Sequence, residues 1–290
     1  MTGLQILIDG FAISALYALG AAGFTLIFGV SGVLNLSHGA IMVAAAVAAW
    51  AAGNANAGPY LGALTGVLVG LGVALATYAL VVRPIQRSRA IPAEEKEIFV
   101  LTGTLLWGIM IQEVIAYFFT SNPKTVRPLI AGVINIVGVR TPMNEILTAV
   151  ACWAVIGLLW LLVNRTRPGR ALLAASMNAR GVTLLGFELS RIYVLVWAIY
   201  GVLAGIAGVL LAMFLGVSSD GIGPLTASAF SIVVLGGLGS VSGSLIAAYV
   251  VGYLETVTAY AVSPTIRTIP VLLLLIVVVY VRPQGLLGRR

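Results

Sequence analysis

The chain holds one histidine, His38, and one cysteine, Cys152. A Cys/His zinc site cannot be built from that pair, and no disulfide can close within the chain. The only lysines, Lys96 and Lys124, lie outside any G-x-x-x-x-G-K-[ST] pattern, so there is no phosphate-binding loop of that form. No nucleophile–base–acid set can be assembled around His38. The sequence therefore offers no catalytic residues and no metal ligands, and whatever powers this protein lies outside it.

What remains polar within apolar sequence gathers in two short stretches. Residues 29–39 carry Asn35, Ser37 and His38 among Gly29, Gly32 and Gly39. Polar groups in hydrocarbon are costly unless they face protein or water. A broken helix is tolerated only where it is buried in protein or lines an aqueous cavity, and such breaks commonly mark substrate paths in transporters. The other reading puts this patch at the cytoplasmic interface, where polar residues need no special role. Ser231, Gly236, Gly237, Gly239 and Ser242 form a second break with the same two readings. Candidate pathway residues are thus Asn35, Ser37, His38, Ser231, Gly236, Gly237, Gly239 and Ser242. Asp9, Glu113 and Glu255 fall near span ends, which argues against coupling to an ion gradient.

The elements that must position these residues follow from composition. Of 290 residues 60% are hydrophobic and 9% charged, against about 25% charged in a soluble domain. Too few charges exist to cover a water-facing surface, so the apolar excess faces lipid. The net charge of +7 is spread in short basic clusters between apolar runs, the pattern of membrane topology rather than of nucleic-acid binding. Residues 61–82, 98–119, 146–163 and 192–217 each match the roughly 20 residues that cross a bilayer. Residues 221–254 would reach about 51 Å as one helix and must fold back at the Gly236–Gly243 cluster. Residues 4–52 must break near Gly29–Gly39 for the same reason, and residues 266–281 supply a last span. The expected fold is all-α and polytopic, one transmembrane domain over residues 1–290. It has eight or nine segments, with Gly-rich breaks or re-entrant helices. The first apolar run lacks the basic leader of a cleavable signal peptide.

With nine crossings and the N-terminus outside, the inner connections hold Arg83, Arg87, Arg89, Lys96, Arg165, Arg167, Arg170, Arg180, Arg191, Arg282, Arg289 and Arg290. Only Lys124, Arg127, Arg140 and Arg267 remain outside, in keeping with the positive-inside rule, although three of them crowd the 120–142 connection. Gly62, Gly66 and Gly70, like Gly201 and Gly205, recur every fourth residue and read as close helix-packing faces.

The long inner connection 164–190 opens with a basic turn, followed by a helical stretch over 171–180 that Gly181 interrupts and a second piece that Gly186 ends. Leu173, Met177 and Leu184 can share one face. The element either anchors the bundle at the interface or docks a cytoplasmic partner.

Three stretches carry a resemblance. Residues 28–46 (FGVSGVLNLSHGAIMVAAA), 231–252 (SIVVLGGLGSVSGSLIAAYVVG) and 280–288 (YVRPQGLLG) resemble, in order and spacing, signatures of the LivH-type permeases of branched-chain amino-acid ABC importers. That resemblance implies a type II ABC-importer-like fold. It also favours the docking role for residues 164–190, because 175–188 (ASMNARGVTLLGFE) is similar to the family's ATPase-coupling segment, with departures at Arg180 and Val182. The implied coupling residues are Met177, Asn178, Ala179, Leu184, Leu185 and Gly186. The implied partners are a LivM-like second permease, two LivG/LivF-like ATPase subunits that use ATP and magnesium, and an extracytoplasmic amino-acid-binding protein. The chain itself needs no cofactor, binds no nucleic acid, and sits in the bacterial inner membrane. Relatives in the family carry urea, short amides or other amino acids, and the small apolar pathway residues do not choose among them. A gradient-driven secondary transporter and a membrane enzyme are the competing classes; the second lacks any polar catalytic cluster.

Overall fold

The computed structural model describes residues 2–288, so Arg289 and Arg290, counted above on the inner side, lie outside the described residues. The helices in chain order are α1 (Thr2–Ser31), α2 (His38–Ala52), α3 (Gly58–Thr77), α4 (Arg83–Arg87), α5 (Lys96–Phe119) and α6 (Met143–Arg165). They continue as α7 (Arg167–Met177), α8 (Ala179–Leu184), α9 (Leu189–Phe214), α10 (Ile222–Gly236), α11 (Val241–Ala261) and α12 (Ile269–Val281). A π-helical turn at Tyr78–Val82 joins α3 to α4 without a break. Among the described residues nine helical stretches are long and apolar enough to cross a membrane: α1, α2, α3–α4, α5, α6, α9, α10, α11 and α12 with their short extensions. Backbone amides have no water to pair with in hydrocarbon, so apolar runs of this length satisfy themselves as helices.

The 120–142 connection contains strands as well as loop. There β1 (Val133–Ile136) and β2 (Val139–Pro142) pair antiparallel, with Ile136 opposite Val139. Val137 and Gly138 both take positive φ, the geometry of a tight two-residue hairpin turn. Lys124, one of the basic residues crowded there, sits 4.7 Å from the centre of the Trp50 ring, so a cation–π contact holds it.

α1 lies at the centre, against α11, α9 and α6, while α3 crosses α9 and α2. The glycines spaced by four are where these crossings come closest. A Cβ on Gly70 would stand 2.7 Å from the Cα of Gly205, and one on Gly201 would stand 2.7 Å from the Ala74 methyl. Their packing role is confirmed. Around this centre the outer faces of α5 and α12 expose Leu106, Ile109, Val114, Leu273, Ile276 and Val277. An apolar belt of that extent is what a lipid-facing or partner-facing surface requires. The bundle thus has two ends: an α7–α8 face, with α7, α8 and the C-terminal residues, and an opposite hairpin face, with β1–β2 and the α9–α10 and α11–α12 connections.

Candidate functional site

The first break forms where α1 stops at Ser31 and α2 starts at His38. Gly32 ends α1 with φ +66, a left-handed conformation that glycine adopts without a Cβ penalty. The break lies deep in the bundle. A Cβ on Gly108 would lie 3.2 Å from the Ser37 Cα. Gly108 stands twelve residues into α5 and eleven from its end, about 18 Å from one side and about 17 Å from the other. Residues 35–38 are therefore at half height, and the interfacial reading of this patch is corrected. Peptide groups freed there are satisfied by side chains from distant helices. The Leu36 amide donates to Thr104 Oγ1 (3.1 Å) and the Gly39 amide to Thr226 Oγ1 (3.0 Å). Asn35 Oδ1 accepts from both the amide and the hydroxyl of Ser37 (3.1 and 2.7 Å). Asn35 Nδ2 donates to the Tyr200 hydroxyl (2.9 Å), which also meets His38 Nδ1 at 2.8 Å. The His38 ring stacks on Phe24, and its Nε2 has no partner among the described residues.

The second break runs from Gly236 to Val241 and lies on the same face as α7 and α8. Ser240 caps α11 by accepting from the Gly243 amide (3.2 Å). Gly237, at φ +102, touches the C-terminal tail: a Cβ there would be 2.5 Å from the Gly288 amide. The tail is stitched to the break by Leu286 N to Leu235 O (2.8 Å) and Leu287 N to Gly236 O (3.1 Å). Gly239 and Ser242 line a cavity of about 860 Å³ together with Phe28, Leu173, Ser176 and Met177.

That cavity joins the second break to the 164–190 connection. α7 starts at Arg167, four residues earlier than the sequence suggests, because the Thr166 hydroxyl caps it through the Gly169 amide (3.1 Å) and Pro168 suits the first turn. The interruption falls at Asn178, not Gly181; Asn178 Oδ1 caps α8 by accepting from the Gly181 amide (2.8 Å). Gly186 ends the segment with φ +84, as the sequence predicts. Leu172, Ala175 and Val182 anchor the segment in the bundle, whereas Met177, Leu184 and Leu185 are 77%, 84% and 75% exposed. Leu173, Met177 and Leu184 all face outward, from two helices rather than one.

Residues 6–280 match the family described as "Branched-chain amino acid transport system / permease component". The chain belongs to that family. It is 29% identical to the high-affinity branched-chain amino acid transport system permease protein BraD of Pseudomonas aeruginosa, over 99% of this chain and 96% of that one. The corresponding protein LivH of Escherichia coli is 27% identical over the same shares. Among solved structures, a chain of PsaBC from Streptococcus pneumoniae in complex with Fab shares the fold, with a TM-score of 0.54, 14% identity, and 98% and 95% of the two chains covered. The polytopic helical architecture and the family read from residues 28–46, 231–252 and 280–288 agree with these matches, which are to transport permeases and not to enzymes.

In this permease Asn35, Ser37, His38 and Ser231 are enclosed by protein, with the Ser231 hydroxyl unpaired among the described residues. Gly236 and Gly237 are buried under the tail, whereas Gly239 and Ser242 line the 860 Å³ cavity. The sequence reading missed Tyr200, the hub of the first break, because a tyrosine inside an apolar span carries no local signal. It also left Glu255 as a plain span-end carboxylate. Glu255 is 2% exposed and accepts from Tyr17 (2.6 Å) and Ser228 (2.9 Å), while Asp9 bonds to Gln5 and Tyr260 nearer the surface and Glu113 is exposed.

Proposed function

We propose that the chain is a permease subunit of an ATP-driven importer of branched-chain or related amino acids, set in the bacterial inner membrane with α7 and α8 in the cytoplasm. One observation carries this reading: Met177, Leu184 and Leu185 stand bare on a short capped helix pair whose other face is locked into the bundle. Apolar side chains left uncovered on an otherwise basic connection fit a groove on a partner subunit better than water. That partner is an ATPase, LivG/LivF-like and using ATP and magnesium. A LivM-like permease completes the pathway, and an extracytoplasmic binding protein delivers substrate to the hairpin face.

Mechanically, closure of the ATPases pushes on α7–α8. The push reaches the second break across the cavity shared by Met177 and Gly239, and reaches α1 where Gly29 lies against Gly239. Asn35, Ser37 and His38 then act as the half-height gate that opens when α1 and α9 shift. The type II importer arrangement and the single transmembrane domain over residues 1–290 belong to this proposal.

The test is purification in mild detergent followed by reconstitution. A second permease and two ATPases should copurify, and leucine uptake into vesicles should require ATP and the binding protein. Uptake by this chain alone, driven by an ion gradient, would overturn the proposal. Urea and an aromatic amino acid, run beside leucine, decide the substrate.

A further inference from the structure

On the hairpin face, opposite the coupling helices, a cavity of about 290 Å³ opens between α9, α10, α11 and the α11–α12 connection. Its size is at the lower end for small-molecule sites, which run from about 300 to 1,000 Å³. Leu211, Leu215, Val217, Pro224, Leu225 and Pro264 give it an aliphatic part, beside the polar Tyr17, Ser218, Ser228, Thr265 and Thr268. Two charged groups meet in it. Glu255 reaches it from α11, held by the Tyr17 and Ser228 hydroxyls (2.6 and 2.9 Å) on Oε2 and Oε1. Arg267 reaches it from the connection, its Nε 3.8 Å from Glu255 Oε2.

That separation is an ion pair but too long for a hydrogen bond. Arg267 is 36% exposed and makes no hydrogen bond among the described residues, so its fork of donors is uncommitted. Glu255 is the reverse: it is oriented by two hydroxyls and shut off from solvent. A lone cation near Glu255 meets the guanidinium charge, and a lone anion near Arg267 meets the carboxylate. A small molecule bearing both charges a short distance apart satisfies both groups while bringing no net charge into a poorly solvated site.

We infer that this cavity is a binding site for a zwitterionic α-amino acid, in which Glu255 takes the ammonium group, Arg267 takes the carboxylate, and the aliphatic wall takes the side chain. This deepens, and rests on, the proposed transport of amino acids. It places the first recognition by the permease on the face where substrate arrives, apart from the half-height gate.

The experiment uses the full chain purified in detergent, with thermal unfolding read against L-leucine, isoamylamine and 4-methylpentanoate. Leucine should raise the midpoint, as any ligand of the folded state does, and the two singly charged analogues should not. E255Q and R267Q should each weaken leucine binding about ten- to a hundredfold, the loss expected for a hydrogen bond to a charged group. R267K should retain most of it. If the charge variants fail to accumulate, S228A removes one support of Glu255 without a charge and should weaken leucine severalfold. Equal protection by the singly charged analogues, no protection by leucine at millimolar concentration, or wild-type affinity in S228A, E255Q and R267Q would overturn the site. Leucine uptake by the assembled importer separates the two claims. Uptake at wild-type rate in both charge variants overturns the site and leaves the transport function standing. Leucine binding by the chain, lost in R267Q, with no amino-acid uptake by the importer, keeps the site and removes the function.

Discussion

The side-chain amide of Asn35 donates to the hydroxyl of Tyr200 over 2.9 Å, tying the first helix break to a residue 165 positions away in the middle of α9. His38 Nδ1 meets the same hydroxyl at 2.8 Å. One phenol thus holds two of the three polar side chains of a break that sits at half height in an apolar bundle.

Tyr200→Phe leaves the stack of rings in place and strands Asn35 Nδ2 and His38 Nδ1. A buried polar group without a partner costs about 1–3 kcal/mol. We expect a lower unfolding midpoint in detergent and slower uptake by the assembled importer. An unchanged midpoint would show that the break does not depend on this hub.

Gly70→Val and Gly72→Val form a matched pair on α3. At Gly70 a Cβ would meet Gly205 Cα at 2.7 Å, whereas at Gly72 nothing lies within 4 Å. Overpacking at the first should cost about 1–3 kcal/mol, and the second should change stability by no more than about 0.5 kcal/mol. Equal melting curves for the two variants would mean that the glycine spacing does not set the α3–α9 approach.

Leu184→Asp and Leu185→Asp place charge on exposed positions that bury nothing within this chain. Both variants should accumulate and melt like wild type, yet lose copurifying ATPase and most uptake. Full uptake with normal ATPase recovery would place the docking surface elsewhere.

Gly237→Ala puts a Cβ 2.5 Å from the Gly288 amide on a backbone held at φ +102. Glycine carries that conformation where other residues are strained. The tail should detach from the second break, and cleavage within residues 282–288 by a broad-specificity protease such as subtilisin should speed up severalfold. An unchanged cleavage rate would mean that the Leu286 and Leu287 hydrogen bonds hold the tail without the close contact.

The pieces legible along the chain are those fixed by short-range physics. Hydrocarbon demands long uncharged helices, so the span positions, the two Gly-rich breaks and the fourfold glycine spacing are all written locally. Even there the 164–190 connection misleads: Gly181 draws the eye as the breaker, but Asn178 makes the break because its side chain caps the next helix. The hairpin at Val133–Pro142 is local too, hidden only by the short length of its strands.

By itself the sequence determined that this is a multi-span permease with two interrupted helices and a basic 164–190 connection, because solvation by lipid constrains every residue of a span in turn. Tertiary structure alone decided which polar residues meet. Tyr17 and Glu255 are 238 positions apart and share a hydrogen bond, and Arg267 joins them from a separate connection. A partner chosen by how helices cross leaves no trace in the residues beside it, so the depth of the first break and the charged cavity appear only when the bundle is assembled.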